Sequence, residues 1–369
     1  MERNLYREQI LSFKPYVPGK SIDDAKAEYG LSRMEKLASN ENPLGPSPKA
    51  VEEMKRELER VNLYPDPEAS ALKLKLADKL GVEPDAIVVG NGGEQILQLI
   101  AQTFINPGDE AVMADATFDM YASSVSFLGG IPVRIPLQKM KHDIVGFAKA
   151  VTDRAKLMYI CNPNNPTGNI VTKAEIDRLI CQIPEDIILV FDEAYYDFAK
   201  ADPDYPNSLD LLAKRPNTVI LRTFSKIAGI AGVRIGYAVT SVGHARQMSK
   251  IKPTFNVNRL ALAAATGAAE DGGHIRRTVE LNDASMRMME AFFEKHKLEY
   301  VRSYANFVFV DLGMDSRMVF EELMKRGVIV RPGFNWGFVD WIRVSTGTLE
   351  QTQFFLDKLK ELIVRESRN

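Results

Sequence analysis

The stretch VILRTFSKIAGIAGVRIGYAV, residues 219–239, decides how the rest of the chain is interpreted. Its first three residues are apolar and mostly β-branched, which predicts a buried strand, and residues 235–239 predict a second one. Between the two strands lies Lys226, followed by small residues from 228 to 232. A lysine at the end of a buried strand, among small and apolar neighbours, loses hydration, and this desolvation favours its neutral amine.

The chemistry of this segment points to an aldehyde that carries a phosphate. A neutral amine is the form that condenses with a carbonyl group. Thr223 and Ser225 supply two hydroxyls before Lys226, and Arg234 supplies a guanidinium after it, so a phosphate can be held nearby. Pyridoxal 5′-phosphate has both groups, and we take it as the expected cofactor. The alternative, an ordinary surface lysine at a strand end, stays open for this segment alone.

Length and composition are ordinary for a soluble globular protein. The 369 residues are enough for one large domain and a smaller one, and 45% are apolar. A net charge of −2 gives no basic field, so we expect no nucleic acid partner. Two cysteines and four scattered histidines predict neither a disulfide framework nor a metal site. Without an apolar span or a signal peptide, we expect no membrane association and a cytoplasmic location.

Alternating strands and helices predict an α/β fold, in which helices sandwich a mainly parallel sheet. Further strands are predicted at residues 87–89, 111–113, 156–161 and 187–191. Ligand groups gather beyond the carboxyl ends of such strands. Five candidates lie just past strand ends in successive loops: Gly92, Phe118, Asn165, Asp192 and Lys226.

Domain organisation follows from changes in the pattern along the chain. Residues 1–45 read as an irregular N-terminal arm that packs with the small domain. Residues 46–255 are predicted to form the large domain, which begins with two helices. The first helix covers residues 48–61, and the second runs up to Leu80 and is ended by Gly81. Residues 256–369 then predict a smaller α+β domain of long helices and a few strands.

Nine segments, in order along nearly the whole chain, resemble one family. They are NENP (40–43), LYPDP (63–67), GNGGE (90–94), NPNNPTG (162–168), DEAY (192–195), RTFSK (222–226), GVRIGY (232–237), NVN (256–258) and WIRVSTGT (341–348). Together they resemble the fold-type I pyridoxal-phosphate aminotransferases, and within that family they are most similar to the histidinol-phosphate aminotransferase group. The resemblance implies the corresponding two-domain fold and a homodimer.

For the cofactor, the resemblance implies a role for each matching residue. Lys226 corresponds to the lysine that condenses with the aldehyde and then moves a proton, and Asp192 to the carboxylate facing the pyridine nitrogen. Asn165 and Tyr195 correspond to donors to the ring's phenolic oxygen, and Phe118 to the ring stacked on the pyridine. The phosphate would be held by Gly92, Gly93, Thr223, Ser225 and Arg234, with Tyr64 reaching in from the partner subunit, and Glu94 is a further cofactor-binding candidate.

For the substrate, the resemblance implies that Arg343 binds an anionic group. A guanidinium fork can pair with the carboxylate of glutamate or with the phosphate of histidinol phosphate. Arg331, Tyr16 and Asn42 are further candidates for the substrate pocket. The predicted reaction is transamination from histidinol phosphate to 2-oxoglutarate, giving imidazole acetol phosphate and glutamate in histidine biosynthesis.

Three alternatives remain at this point. The run RPGFNWGFVDWIR, residues 331–343, is unusually aromatic. If its rings face the pocket, aromatic amino acids become plausible donors, whereas otherwise the rings pack the small domain. A phospho-amino-acid decarboxylase of the same fold is the second alternative, and a non-catalytic protein that senses the cofactor is the third.

Overall fold

The computed structural model describes residues 5–11, 13 and 22–366. The N-terminal part of the chain is more regular than its sequence predicts, with α1 (Glu8–Leu11), α2 (Ile22–Tyr29) and β1 (Glu35–Lys36). The Phe13 ring stacks on Phe127 at 4.0 Å between centroids, which attaches the first residues to the large domain. The irregular arm was therefore a wrong prediction for these elements, because their short apolar patterns give little periodic signal.

Two helices precede the large sheet, α3 (Pro48–Glu57) and α4 (Ser70–Leu80). The Ser47 hydroxyl accepts the Ala50 N–H and Pro48 occupies the first turn, which together start α3 where the sequence predicts it. The last predicted turn, residues 58–60, is 3₁₀-helical. Gly81 ends α4 in a left-handed conformation, at φ 67°.

Seven strands form the large sheet. They are β2 (Ile87–Gly90), β3 (Glu110–Ala114), β4 (Ile131–Ile135), β5 (Ala155–Cys161), β6 (Ile188–Asp192), β7 (Thr218–Thr223) and β8 (Gly236–Thr240). Their order in the sheet is β2-β8-β7-β6-β5-β3-β4, and only β8 runs in the direction opposite to the other six strands. The predicted mainly parallel sheet is confirmed. Sequence reasoning missed β4, an edge strand whose half-exposed residues include a proline and an arginine.

Helices cover both faces of this sheet. They are α5 (Gly92–Phe104), α6 (Met120–Ser126), α7 (Ile144–Lys149), α8 (Lys173–Ile180), α9 (Tyr196–Ala199), α10 (Ser208–Lys214) and α11 (Val242–Ile251). Side chains of β5 alternate between two buried cores, with Tyr159 on one face and Met158 and Ile160 on the other. Burial on both faces explains why the strands are nearly continuous apolar runs in the sequence.

The helix α12 (Arg259–Ala269) belongs to the core of the large sheet, although the sequence assigned it to the second domain. Its alanines at 261, 264, 265 and 268 pack with Val89 and Ile220 and with α3. Small side chains allow this close approach and give a weak hydrophobic signal. We therefore propose that the chain passes to the second domain after Ala269 and not at residue 256.

The second domain has an antiparallel sheet and its own core. Its elements are α13 (Gly272–His296), β9 (Tyr300–Val301), β10 (Phe307–Asp311), α14 (Ser316–Lys325), β11 (Val328–Ile329), β12 (Arg331–Pro332), β13 (Trp341–Ser345) and α15 (Leu349–Glu366). The sheet order is β12-β13-β10-β9, while β11 pairs in parallel with β1 of the N-terminal part. Among the residues that the structure describes, no helix is both long and apolar enough to cross a membrane.

Close packing of α12 on α3 gives a stability prediction. A Cβ atom at Gly267 would lie 2.5 Å from the Lys49 carbonyl oxygen. Gly267→Ala should therefore force the helices apart and lower the free energy of unfolding by about 1–3 kcal/mol, measured by urea denaturation.

Gly243→Ala is the matched control, because Gly243 is also helical but has no atom within 4 Å of its would-be Cβ. It should raise the free energy of unfolding by about 0.5–1 kcal/mol, as alanine replaces a flexible glycine. Equal effects at the two positions would contradict the close helix contact.

Candidate active site

A cavity of about 580 Å³ lies at the carboxyl end of the parallel strands, between the two domains. The fold explains this position, since β2, β3, β5, β6 and β7 all end there and the antiparallel β8 begins there. Twelve of the predicted site residues line the cavity: Gly93, Glu94, Phe118, Asn165, Asp192, Tyr195, Thr223, Ser225, Lys226, Arg234, Arg331 and Arg343. Both domains contribute, because the last two belong to β12 and β13.

Lys226 has the desolvated environment that its sequence context predicts. Its Nζ donates a hydrogen bond of 3.0 Å to the Ser39 carbonyl oxygen. Burial lowers the pKa of the Lys226 amine to about 8, and the positive charges of Arg343 and Arg234 act in the same direction. Near neutral pH, a much larger fraction of this amine is therefore in the nucleophilic form than for an ordinary lysine.

Asp192 ends β6 and is only 5% exposed. Its Oδ2 accepts a hydrogen bond of 2.7 Å from the Tyr121 hydroxyl, and its Oδ1 accepts one of 3.1 Å from the Ala194 N–H. Burial raises the pKa of the Asp192 carboxyl above its ordinary value, although these hydrogen bonds act in the opposite direction. Tyr121 was not predicted, since a tyrosine inside a short helix carries no sequence signal for such a contact.

Tyr195 is held by Asn40, a second residue that sequence reasoning missed. Asn40 Nδ2 donates to the Tyr195 hydroxyl oxygen at 2.9 Å, so the hydroxyl hydrogen of Tyr195 is left for another acceptor. Asn40 Oδ1 in turn accepts from the Ser345 hydroxyl at 2.8 Å. Asn40 has φ 55°, a conformation that asparagine adopts more readily than most residues, and it opens the NENP segment. Its place in the NENP segment is the sequence signal from which Asn40 could have been predicted as a site residue.

Arg343 connects the two domains at the cavity. Its Nη1 donates to Asn165 Oδ1 and its Nη2 donates to the Ala38 carbonyl oxygen at 2.7 Å. The centroid of the Trp336 ring lies 5.3 Å from the guanidinium carbon. The guanidinium is therefore already oriented by oxygen acceptors before any anion arrives.

A cradle for an anion surrounds the start of α5. Gly92 has φ 78°, a backbone conformation that favours glycine, and a Cβ atom there would lie 2.7 Å from Arg234 Nη2 and displace this guanidinium. Thr223 Oγ1 donates to Ser225 Oγ at 3.0 Å and accepts the Ser225 N–H at 3.1 Å. Backbone N–H groups at a helix N-terminus, two hydroxyls and a guanidinium together suit a phosphate.

Of the described residues, the predicted side chains of Asn42 and Tyr64 do not line this cavity. The Asn42 side chain donates to the Ile227 carbonyl oxygen at 3.0 Å and to Thr278 Oγ1 at 3.1 Å, so it supports the loop after Lys226 and does not reach the pocket. Tyr64 is 77% exposed and stacks on Phe255 at 4.5 Å between centroids. Tyr16 lies outside the described residues.

The aromatic run of the second domain divides between two environments. Trp336 lines the cavity, whereas Trp341 and Phe338 pack around Phe309. Phe334 lies under the Arg317 guanidinium at 4.3 Å. One ring of the four therefore faces the cavity, and the others stabilise the domain or its surface.

Comparison with known proteins agrees with this geometry. The family model described as aminotransferase class I and II matches residues 32–359. The chain belongs to this family.

Similar proteins point to one group of enzymes within this family. The aminotransferase is 45% identical to the histidinol-phosphate aminotransferase of Moorella thermoacetica, over 97% of this chain and 92% of that protein. It is 44% identical to the one of Caldicellulosiruptor saccharolyticus, over 97% and 100%. The crystal structure of the Sinorhizobium meliloti enzyme, in complex with pyridoxal-5′-phosphate, superposes with a TM-score of 0.90 over 99% of both chains at 28% identity. The resemblance stated from the nine segments is thus confirmed.

The lowered pKa of Lys226 gives a prediction for the aminotransferase freed of any bound carbonyl compound. Fluorodinitrobenzene reacts only with unprotonated amines. Its rate of reaction at Lys226, followed by mass spectrometry of the labelled peptide, should rise with pH, reach half its maximum near pH 8 and then level off. Lys226→Met should lack the labelled peptide. A rate that still rises steeply above pH 10 would show that the amine is not desolvated.

Proposed function

We propose that this aminotransferase binds pyridoxal 5′-phosphate and transfers the amino group of histidinol phosphate to 2-oxoglutarate. The observation that carries the proposal is the meeting of Lys226, Asp192 and the anion cradle in one cavity. Relatives of 44–45% identity, named histidinol-phosphate aminotransferases, support the choice of substrate. Such a biosynthetic role would place the protein in the cytoplasm, which stays a prediction.

The residues of the cavity fit this cofactor. Asp192 would hold the protonated pyridine nitrogen, the cradle beside Gly92 would hold the phosphate, and Phe118 would cover one face of the ring. Lys226 would bind the aldehyde carbon. When bound, the cofactor supplies an electron-withdrawing ring that acidifies the Cα hydrogen of an attached amino substrate.

The chain's own groups would then move the proton. With a pKa of about 8, the Lys226 amine could accept a proton from the substrate's Cα as general base. It could then deliver this proton to the C4′ carbon of the cofactor as general acid. Tyr195 can donate its hydroxyl hydrogen to the ring's phenolic oxygen, because Asn40 already fills one acceptor position on the tyrosine oxygen. Asn165 would supply a second donor through its amide nitrogen.

Two guanidiniums on the substrate side suit a doubly charged anion. Arg331 and Arg343 both line the cavity, with Trp336 beside the second. Planar guanidiniums pair well with phosphate oxygens, and a flat ring can cover an imidazole. Trp336 also favours a second candidate function, transamination of aromatic amino acids, since their side chains are equally flat.

The decisive experiment is a half-reaction. Purified protein in the aldehyde form is mixed with histidinol phosphate or with phenylalanine, and loss of the aldehyde absorbance is followed by stopped flow. We expect fast loss with histidinol phosphate and recovery on adding 2-oxoglutarate. Loss with phenylalanine alone would reject the proposed donor, and carbon dioxide release without need for an oxo acid would indicate a lyase.

Variants of the two arginines sharpen this test. Arg343→Lys loses the planar fork and should lower kcat/KM about tenfold or more for both donors, because a single ammonium replaces paired hydrogen bonds to an anion. Arg331→Lys is the matched variant. It should lower kcat/KM for histidinol phosphate and leave phenylalanine nearly unchanged, since phenylalanine carries one anionic group and not a dianion.

We also propose that the working enzyme is a homodimer in which Tyr64 binds the phosphate in the partner's cavity. Support comes from an exposed apolar surface formed by Leu58, Val61, Leu63 and Tyr64, with Phe255 stacked on the tyrosine. Contiguous exposed apolar side chains of this kind are typical of protein interfaces. Arg259 donates to the carbonyl oxygens of residues 63 and 64 and thereby holds this loop.

Sedimentation should accordingly give twice the chain mass of 41.3 kDa. Tyr64→Phe keeps the ring on Phe255 and removes only the hydroxyl, so the mass should stay unchanged while cofactor affinity falls about tenfold. A monomer with full cofactor affinity would contradict both parts of this proposal.

A further inference from the structure

We propose that Tyr121 is a positioning residue, which orients the Asp192 carboxylate toward the cofactor's ring nitrogen and stabilises its charged form. The inference rests on the proposed function, because it assigns Asp192 to the pyridine nitrogen. Tyr121 contacts neither substrate nor cofactor in this assignment and acts only through Asp192.

Packing fixes the Tyr121 hydroxyl in place. The residue lies in α6 and is fully buried. Its ring stacks on Tyr159, with 4.7 Å between centroids and 8° between planes, and meets the Phe118 ring edge-on at 5.7 Å. A ring held on two sides has little freedom to turn, so its hydroxyl stays 2.7 Å from Asp192 Oδ2.

Asp192 needs such a donor because it is buried with little charge compensation. Within residues 5–11, 13 and 22–366, Asp192 forms no direct ion pair, although the charge of Lys226 in the same cavity lowers its pKa and so opposes part of the effect of burial. Its oxygens instead accept from the Tyr121 hydroxyl and the Ala194 N–H, one on each oxygen. A hydrogen bond to a carboxylate favours the charged form and offsets part of the cost of burial.

The direction of donation is fixed over the working pH range. Burial raises the pKa of the Tyr121 hydroxyl well above its ordinary value, and the charge of Asp192 adds to this effect. The hydroxyl therefore remains protonated and can only donate to the carboxylate. Each Asp192 oxygen keeps a further lone pair for the N–H of the ring.

Tyr159 shows that packing alone does not require the hydroxyl. It is buried like Tyr121, in the same ring stack, yet its hydroxyl has no hydrogen-bond partner among the described residues. The two tyrosines thus form a matched pair, in which one hydroxyl contacts the site and the other does not.

The test compares Tyr121→Phe with Tyr159→Phe in binding of pyridoxamine 5′-phosphate from pH 5 to 8, by equilibrium dialysis. Both variants keep the stacked ring. Tyr121→Phe should bind about tenfold more weakly than wild type, since it loses a hydrogen bond to a charged group. The loss should grow as pH falls, because without this donor the Asp192 carboxyl is protonated at higher pH. Tyr159→Phe should bind as wild type does.

A deaza analogue with carbon in place of the ring nitrogen separates positioning from general structure. Wild type and Tyr121→Phe should bind this analogue equally, because it has no N–H for Asp192. Unchanged binding of pyridoxamine 5′-phosphate by Tyr121→Phe would overturn the inference, as would an equal loss in Tyr159→Phe or an equal loss for the analogue. If wild type itself does not bind the cofactor, the proposed function fails as well.

Discussion

The site depends on keeping two ionisable groups, Asp192 and Lys226, away from water at the end of an apolar sheet. Burial acts oppositely on their chemistry, since it raises the pKa of the carboxyl and lowers the pKa of the amine to about 8. The amine gains its function directly from this effect, because its neutral form becomes available. Burial disfavours the charged form of the carboxylate, so the fold has to stabilise that charge by other contacts. Neutral donors on both Asp192 oxygens do so without a direct ion pair, which leaves its charge available to a ligand.

The same constraint explains the position of the cavity. Parallel strands end together, so five successive loops bring backbone N–H groups, hydroxyls and charged side chains to one edge without crossing the core. The antiparallel β8 adds Arg234 from the opposite chain direction, because its first residues lie where the parallel strands finish. Position 92 then favours glycine, because its φ is 78° and a Cβ atom there would displace the guanidinium. Sheet topology thus determines which residue types are permitted around the anion cradle.

The sequence predicts the parts of this arrangement that are local. Buried strands, their loops and the polar residue that follows each strand are periodic or positional signals, so Asp192, Asn165 and Lys226 could be found from the chain alone. Contacts made across the fold could not. Within NENP the sequence favoured Asn42, yet Asn40 reaches Tyr195, and only the path of the segment between the domains distinguishes the two asparagines. The contact of Tyr121 and the packing of the alanine-rich α12 on the large domain were missed for the same reason, since their partners are distant in sequence.

Residues 38–40 show why the two domains have to act together. This short segment accepts hydrogen bonds from Lys226 at Ser39 and from Arg343 at Ala38, through carbonyl oxygens, while Asn40 donates to Tyr195. Ser345 and Asn306 of the second domain hold this segment by hydrogen bonds to Asn40. The strand β1, which lies just before the segment in the chain, pairs with β11. A shift of the second domain relative to the large sheet would therefore move the acceptors of the amine and of the guanidinium at once.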